Sequence, residues 1–462
     1  MPDAGGDAAV PPWAGPFLTV LSTSAGVYAE PAADRRTKIG YARNGGRLPV
    51  KPEKLQGAGC RSGWYAVIGG GFICANEGTT NADDPRARLA GQEPNLNDIL
   101  PYPYARNAYN GTPLYSSVPS RDQMEAYEPY LTKPVEESPA MARDAGARVW
   151  WQREEAKLGE VRLAELETES DGIIAKRMVK GFYVAVDEEF DWSSRRWYKT
   201  TKGMVVPKDR FAAVEPPAFS GIQLAEQHAL PVAWGYGSRK QRPRYEITDA
   251  GIARPRGEFQ PYRPLHLTGE RREVAGHAYA LGTDGFWIRT DHVRIAEAPP
   301  VPEGLASDER WIHVELGTQT LVASIGTRPV YATLVSSGKE SDDRALDHRT
   351  PTGEWTIREK HITTTMDGDG AAAGDLPYSI EDVPYAMYFQ GSYALHGAFW
   401  HRNFGVRMSH GCINLAPLDA KYLFFFSGPE VQPGWHGAWA GNGRTGARLV
   451  IHGPPRESSA GR

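Results

Sequence analysis

The sequence predicts a mainly β protein built as a series of small β-barrel modules, followed by a larger β-rich unit that carries a reactive cysteine. Three observations predict this. Short runs of β-branched and aromatic residues, punctuated by Gly, Pro and Asn, recur from residue 18 to residue 296. A second strand series starts at Trp311 after the proline-rich run EAPPVPEG, residues 297–304. The 462 residues exceed what one hydrophobic core fills, so roughly two to four domains are expected.

The elements follow in order. Residues 1–17 read as a flexible N-terminus. Residues 18–95 hold LTVLSTSAGVYAEP, IGYARNGGRLPV, GWYAVIGGG and FICANEG, each one or two short strands. Residues 96–228 give a less regular β module that opens on NGTPLYSSVPS and closes on GFYVAVDEEF and WYKTTKGMVVPKDRF. A charged segment rich in Ala, Glu, Arg and Leu, from Ser138 to Glu167, predicts a helix inserted there. Residues 229–296 repeat the first pattern, with Gly285-Phe286-Trp287-Ile288 standing where Gly63-Trp64-Tyr65 stood.

Residues 297–308 read as a linker, and 309–453 as the C-terminal unit. Its strands are WIHVEL, TLVASI, PVYATLVSS, PTGEWTI, YAMYFQ and ARLVIHG, with a short helix at Pro417–Phe426. The polar, glycine-rich stretch 359–385 reads as a long loop or lid, and 454–462 as a flexible tail. Within that stretch Asp367 and Asp369 raise a calcium reading, but EF-hand spacing and its terminal glutamate are missing.

A formal charge of −4 with 23% charged residues excludes a nucleic-acid binder that works by phosphate neutralisation. No run of eighteen apolar residues is present to span a membrane as a helix. The first residues lack the basic and apolar regions of a signal peptide, so an exported form would have its targeting segment outside this chain.

The three cysteines fall into two kinds. Cys60 and Cys74 lie fourteen positions apart across a strand–turn–strand pattern, where a bridge is sterically feasible. Closing that loop is worth about 3 kcal/mol in the chain-entropy model, and it implies an oxidising compartment. The rival reading keeps both thiols reduced and buried. Cys412 stands apart in Ser409-His410-Gly411-Cys412-Ile413-Asn414, with His396-Gly397 upstream.

A thiol needs a base, a positive charge or backbone donors to become a good nucleophile. His396 and His410 are candidate bases, and Arg407 and Arg402 are nearby charges. Gly411 gives the freedom for a tight turn that aims amides at one point. Two His, one Cys and His401 would also suit zinc, or Cys412 would be structural. The spacing favours a Cys/His acyl-transfer site and names no substrate.

Two resemblances add to this reading. The order of Val27-Tyr28-Ala29-Glu30-Pro31, Gly40-Tyr41, Leu48-Pro49-Val50 and Gly63-Trp64-Tyr65 resembles a bacterial SH3-like module. HGAFW at 396–400, SHGCIN at 409–414 and PTGEW at 351–355 resemble the L,D-transpeptidase (YkuD-type) catalytic domain, over about residues 309–453. The second resemblance implies a cysteine enzyme that attacks the diaminopimelate carbonyl of a peptidoglycan tetrapeptide stem and releases D-Ala. The thioester then passes to an amine, giving a 3→3 cross-link or a link to a wall protein.

That resemblance makes Cys412 the nucleophile, His396 the general base and the Gly397 carbonyl its orienting acceptor. His410 assists in the pocket, and the Gly411 and Cys412 amides meet the oxyanion. Ser409 and Asn414 hold the loop; Arg407 gives electrostatic help or meets a stem carboxylate, with a solvated arginine as the rival reading; Trp400, Tyr378 and Tyr385 are candidates for pocket walls, with core as the rival. It implies no cofactor or metal, stem peptides as partners and a periplasmic or envelope location. Water as acceptor, which would give an L,D-carboxypeptidase or thiol peptidase, stays open. So does a non-catalytic wall-binding protein.

Overall fold

A computed structural model describes residues 13–128, 162–167, 172–225, 229–237, 242–343, 347–368 and 377–453. Strand dominates, as the alternation of β-branched and turn residues predicts. The chain divides into two compact units. The first is residues 1–93 with 430–444, and the second is residues 94–429 with 445–462.

Among the described residues, three segments share one strand topology. In the first unit the strands are Phe17–Val20, Ser24–Tyr28, Lys38–Arg43, Arg47–Leu55, Trp64–Val67, Phe72–Cys74 and Gly78–Thr79. Pairing runs seventh–first–fourth–fifth–sixth–second–third, and a 3-10 turn at Ala75–Glu77 precedes the seventh. The second unit repeats this order between Tyr104–Asn107 and Phe211–Ala213. It does so again between Val232–Gly235 and Val293–Ala296. A 3-10 turn sits at the same place each time, Lys208–Arg210 and Thr290–His292.

The expected barrels are not closed. In both copies of the second unit the third and seventh strands end an open path, because the short seventh strand pairs with the first and not onward to the third. The middle copy reads irregularly in sequence because residues 116–173 intervene between its second and third strands, Thr112–Tyr115 and Ile174–Met178. Ser120 caps the helix Arg121–Tyr127 there, its hydroxyl accepting from Gln123 N–H while the Gln123 side chain accepts from Ser120 N–H. Most of the helix expected from Ser138 to Glu167 lies outside the described residues, and its end, Leu163–Glu167, is a 3-10 turn.

The first unit takes an eighth strand from far along the chain. Gly437–Trp439 pairs with Lys38–Arg43, and Trp435, 2% exposed, joins Val27, Ile39 and Ile73 in the core. A Cβ on Gly40 would lie 2.2 Å from the Trp435 ring, so that strand position takes glycine. Cys60 and Cys74 are disulfide-bonded in this unit.

In the C-terminal part of the second unit, one six-stranded sheet runs Ile222–Gln223, Arg328–Leu334, Thr320–Ile325, Arg310–Glu315, Arg448–His452 and Gly353–Thr356. A second set pairs Glu359–Gly368 with Tyr378–Gln390, then Tyr393–Gly397, then Ile413–Leu415. The stretch 359–385, expected as a loop, is thus mainly a hairpin. Its Ile362-Thr363-Thr364-Thr365 run carries the β-branched residues that suit strands, and 369–376 lie outside the described residues. Helix Pro417–Phe426, started by proline at its first position, packs on the strands that carry His396 and Tyr385.

Candidate active site

The site forms where two short parallel strands meet. Leu395 pairs with Ile413, His396 with Asn414 and Gly397 with Leu415. This register sets Cys412, one residue before its strand, beside Ala394. The Ala394 backbone hydrogen bond lowers the thiol pKa, while burial raises it more strongly, leaving the net value above the ordinary thiol range. His396 lies two residues beyond Ala394, on the same face of the strand.

Both side chains line one cavity of about 610 Å³, together with His410, Ser409, Asn414, Trp400 and Tyr378. Cys412 is half-buried, and its Sγ lies 3.7 Å from the Ser392 carbonyl. His396 is 2% exposed. Burial pushes its pKa down to about 4, against a smaller upward effect of the Gly397 carbonyl 3.4 Å from Nδ1. The resting pair near neutral pH is therefore a thiol and a neutral imidazole. With Nδ1–H directed at Gly397, Nε2 keeps a lone pair as acceptor.

The turn ahead of Cys412 is fixed on both sides. Gly411 has φ +117°, and a Cβ there would fall 2.3 Å from Tyr393 Cε1. Ser409 Oγ donates to the Cys412 carbonyl and accepts from Gly411 N–H at 3.1 Å. The expected oxyanion donor at Gly411 is thus already engaged by that hydroxyl. Thr350 Oγ1 donates to the Gly411 carbonyl at 2.8 Å and accepts from Gly338 N–H at 3.0 Å. A Cβ on Gly338 would lie 1.7 Å from the His348 carbonyl, so this packing takes glycine.

Asn414 exchanges backbone hydrogen bonds with Ser336, and its Nδ2 lies 3.0 Å from His401 Nε2. His410 is exposed, stacked on Tyr378 at 5.4 Å and edge-on to His348 at 4.6 Å. Trp400 lies 5.6 Å from the His396 ring.

Two expected residues are elsewhere. Arg407 spends its guanidinium on Glu340 at 3.0 Å and on the Leu316 carbonyl at 3.2 Å, and it does not line the cavity. Tyr385 is fully buried with φ +57°, its ring packed towards Phe424 at 5.7 Å, and burial raises its pKa. An ion pair outside the cavity holds Arg407, and core packing holds Tyr385. Tyr393, Thr350, Lys339 and Asp367 were not foreseen as site residues. The β-branched run Ile362-Thr363-Thr364-Thr365 was a signal for the strand that carries Asp367.

Among the described residues, one further cluster has metal-ligand chemistry: His313, Glu315 and His452, with His313 Nε2 2.9 Å from His452 Nδ1. No helix there is long and apolar enough to cross a membrane.

Residues 309–456 match the family model of the YkuD L,D-transpeptidase catalytic domain. A probable L,D-transpeptidase, YbiS of Escherichia coli strain K12, is 38% identical over 69 residues, covering 13% of this chain and 22% of that protein. The chain therefore spans about a fifth of that relative's length. The catalytic domain of an E. faecium L,D-transpeptidase is 23% identical over 31% of this chain and 98% of that chain, with a TM-score of 0.23. L,D-transpeptidase 3 of Mycobacterium tuberculosis is 16% identical over 40% of this chain and 79% of that chain, with a TM-score of 0.24.

Proposed function

With residues 309–456 a YkuD-type L,D-transpeptidase catalytic domain, we propose that this protein is a cysteine-dependent acyltransferase acting on peptidoglycan stem peptides in the cell envelope. One observation carries the mechanism: Cys412 and His396 open on the same cavity from paired parallel strands, behind a turn that takes glycine. The Cys60–Cys74 bridge supports an oxidising compartment.

Cys412 Sγ attacks the carbonyl carbon of the third stem residue as its proton passes to His396 Nε2. A resting neutral pair makes this transfer concerted with attack, since a buried imidazole does not hold a thiolate beforehand. The Cys412 amide receives the oxyanion, with Ser409 and Asn414 holding the loop. The C–N bond to the terminal D-Ala breaks, and His396 delivers the proton to the leaving amine. An amine then attacks the thioester, Sγ leaves, and His396 takes the amine proton and returns it to the sulfur. His410 and Trp400 position the substrate and the base. The preceding β modules hold the enzyme on the wall or on a partner.

Purified muropeptides test the reading. Cross-linked dimers with loss of D-Ala are expected, and tripeptide alone would assign water as the acceptor. A carbapenem should add its mass to the intact protein and not to Cys412→Ala. An unmodified, folded wild-type protein would overturn the nucleophile assignment. His396→Ala should abolish turnover while His410→Ala retains part of it; equal, complete loss would remove the division of roles.

A further inference from the structure

The cavity that holds Cys412 is not built by the C-terminal strands alone. Gly181 and Tyr183, which enter the fourth strand of the middle module, line it too. Tyr183 pairs in parallel with Ile380 and in antiparallel with Arg106, so module and catalytic strands continue one another. Asp382 fastens the junction: its carbonyl accepts from Tyr104 OH, and its carboxylate accepts from Thr201 and, at 2.9 Å, from Thr363. The Tyr183 ring also meets Phe399 at 5.5 Å, next to Trp400.

We propose that Arg106 and Tyr183 form a carboxylate-binding lip on this cavity, so that the middle module takes part in selecting the stem peptide; the peptide assignment rests on the function proposed above. Arg106 is exposed, and its Nη2 lies 3.8 Å from the point a Cβ on Gly181 would occupy, beside the cavity wall. Arg106 stands directly opposite Tyr183 in the antiparallel pair, so the two side chains leave the sheet on one face. The absent side chain at Gly181, with φ +98°, leaves the guanidinium next to the opening. On the catalytic side Lys339 lines the cavity and adds positive charge, and Asp367 lines it as well. A guanidinium carried on a paired strand beside an aromatic side chain offers the planar donor fork that matches a carboxylate.

Two reagents of near-equal size separate charge recognition from folding. Iodoacetate carries a carboxylate and iodoacetamide does not, and both alkylate Cys412. The ratio of their rates should fall about tenfold in Arg106→Glu of the full chain, the effect of removing one attractive charge and adding a repulsive one. Arg106→Lys should keep most of the ratio and Tyr183→Phe part of it. An unchanged ratio in Arg106→Glu overturns the lip, whatever the substrate.

A second arm uses full-length Cys412→Ala and calorimetric binding of a synthetic stem tetrapeptide, as free acid, C-terminal amide and side-chain amide. The amide that removes the Arg106 dependence identifies the recognised carboxylate. A changed alkylation ratio with no peptide binding would retain the lip and overturn the peptidoglycan reading. Equal loss of all three peptides in Arg106→Glu would overturn the lip's selectivity.

Discussion

Replacing Gly411 by alanine tests how strictly the turn before Cys412 is held. At φ +117° an L-residue is strained, at a cost of about 1–3 kcal/mol. The new methyl would sit 2.3 Å from Tyr393 Cε1, so the ring or the turn must move, adding about 1–3 kcal/mol of overpacking. The turn relaxes more easily than the two strands, and the displaced atom is Sγ. A shift of about 1 Å in a reacting group costs on the order of a hundredfold in rate. Carbapenem acylation followed by intact mass should slow by that order. In the double variant with Tyr393→Ala, the steric part of the destabilisation disappears and the φ part stays, so calorimetry should recover roughly half the loss. A Gly411→Ala protein that acylates at the wild-type rate with an unchanged melting profile would refute the reasoning.

The remaining predictions concern protonation and packing. Acylation needs neutral His396, whose pKa lies at about 4, so the acid limb of the pH–rate profile should fall near pH 4; a limb near the ordinary histidine value would refute an imidazole held neutral by burial. Glu381, buried against the middle module, is raised to about 7 by burial and then by Asp382, with Lys202, Lys176 and the Ala185 N–H opposing. Because its folded pKa exceeds the unfolded value, its stabilising protonation is complete below about pH 4.5 and lost as pH rises through about 7. Glu381→Gln should remove a pH-dependent loss on the order of 3 kcal/mol across that window, read by melting from pH 4 to pH 8; a slope equal to wild type would count against it. Trp435→Ala should destabilise the first unit by about 3–5 kcal/mol, with Cys412 alkylation unchanged; hydrogen exchange reads both units separately.

Much of the C-terminal part is legible in sequence because its signals are local. TLVASI at 320–325 and the final ARLVIHG are dense in β-branched and aliphatic residues, and Pro417 marks the start of a helix. The SHGC turn likewise shows its glycine and its thiol side by side. What escaped depends on partners far along the chain. Nothing near Tyr183 announces that it pairs with Ile380, and nothing near Arg407 shows that Glu340 will neutralise it. Tyr385 was a candidate for a pocket wall with core as its rival, and its ring is fully buried beside Phe424. The polar, glycine-rich composition of 359–385 hid two strands that pair with one another.

The eighth strand of the first unit has a consequence for biogenesis. Residues 94–429 separate its two parts, so this module lacks Trp435 and the Gly437–Trp439 strand until they have been made. At about 5–20 residues per second that delay lasts tens of seconds. During it Val27, Ile39 and Ile73 have an incomplete core and Lys38–Arg43 an unpaired edge, a template for intermolecular pairing. The Cys60–Cys74 bond needs only the local hairpin and can close in that interval. Completion of this module therefore waits on residues 430–444.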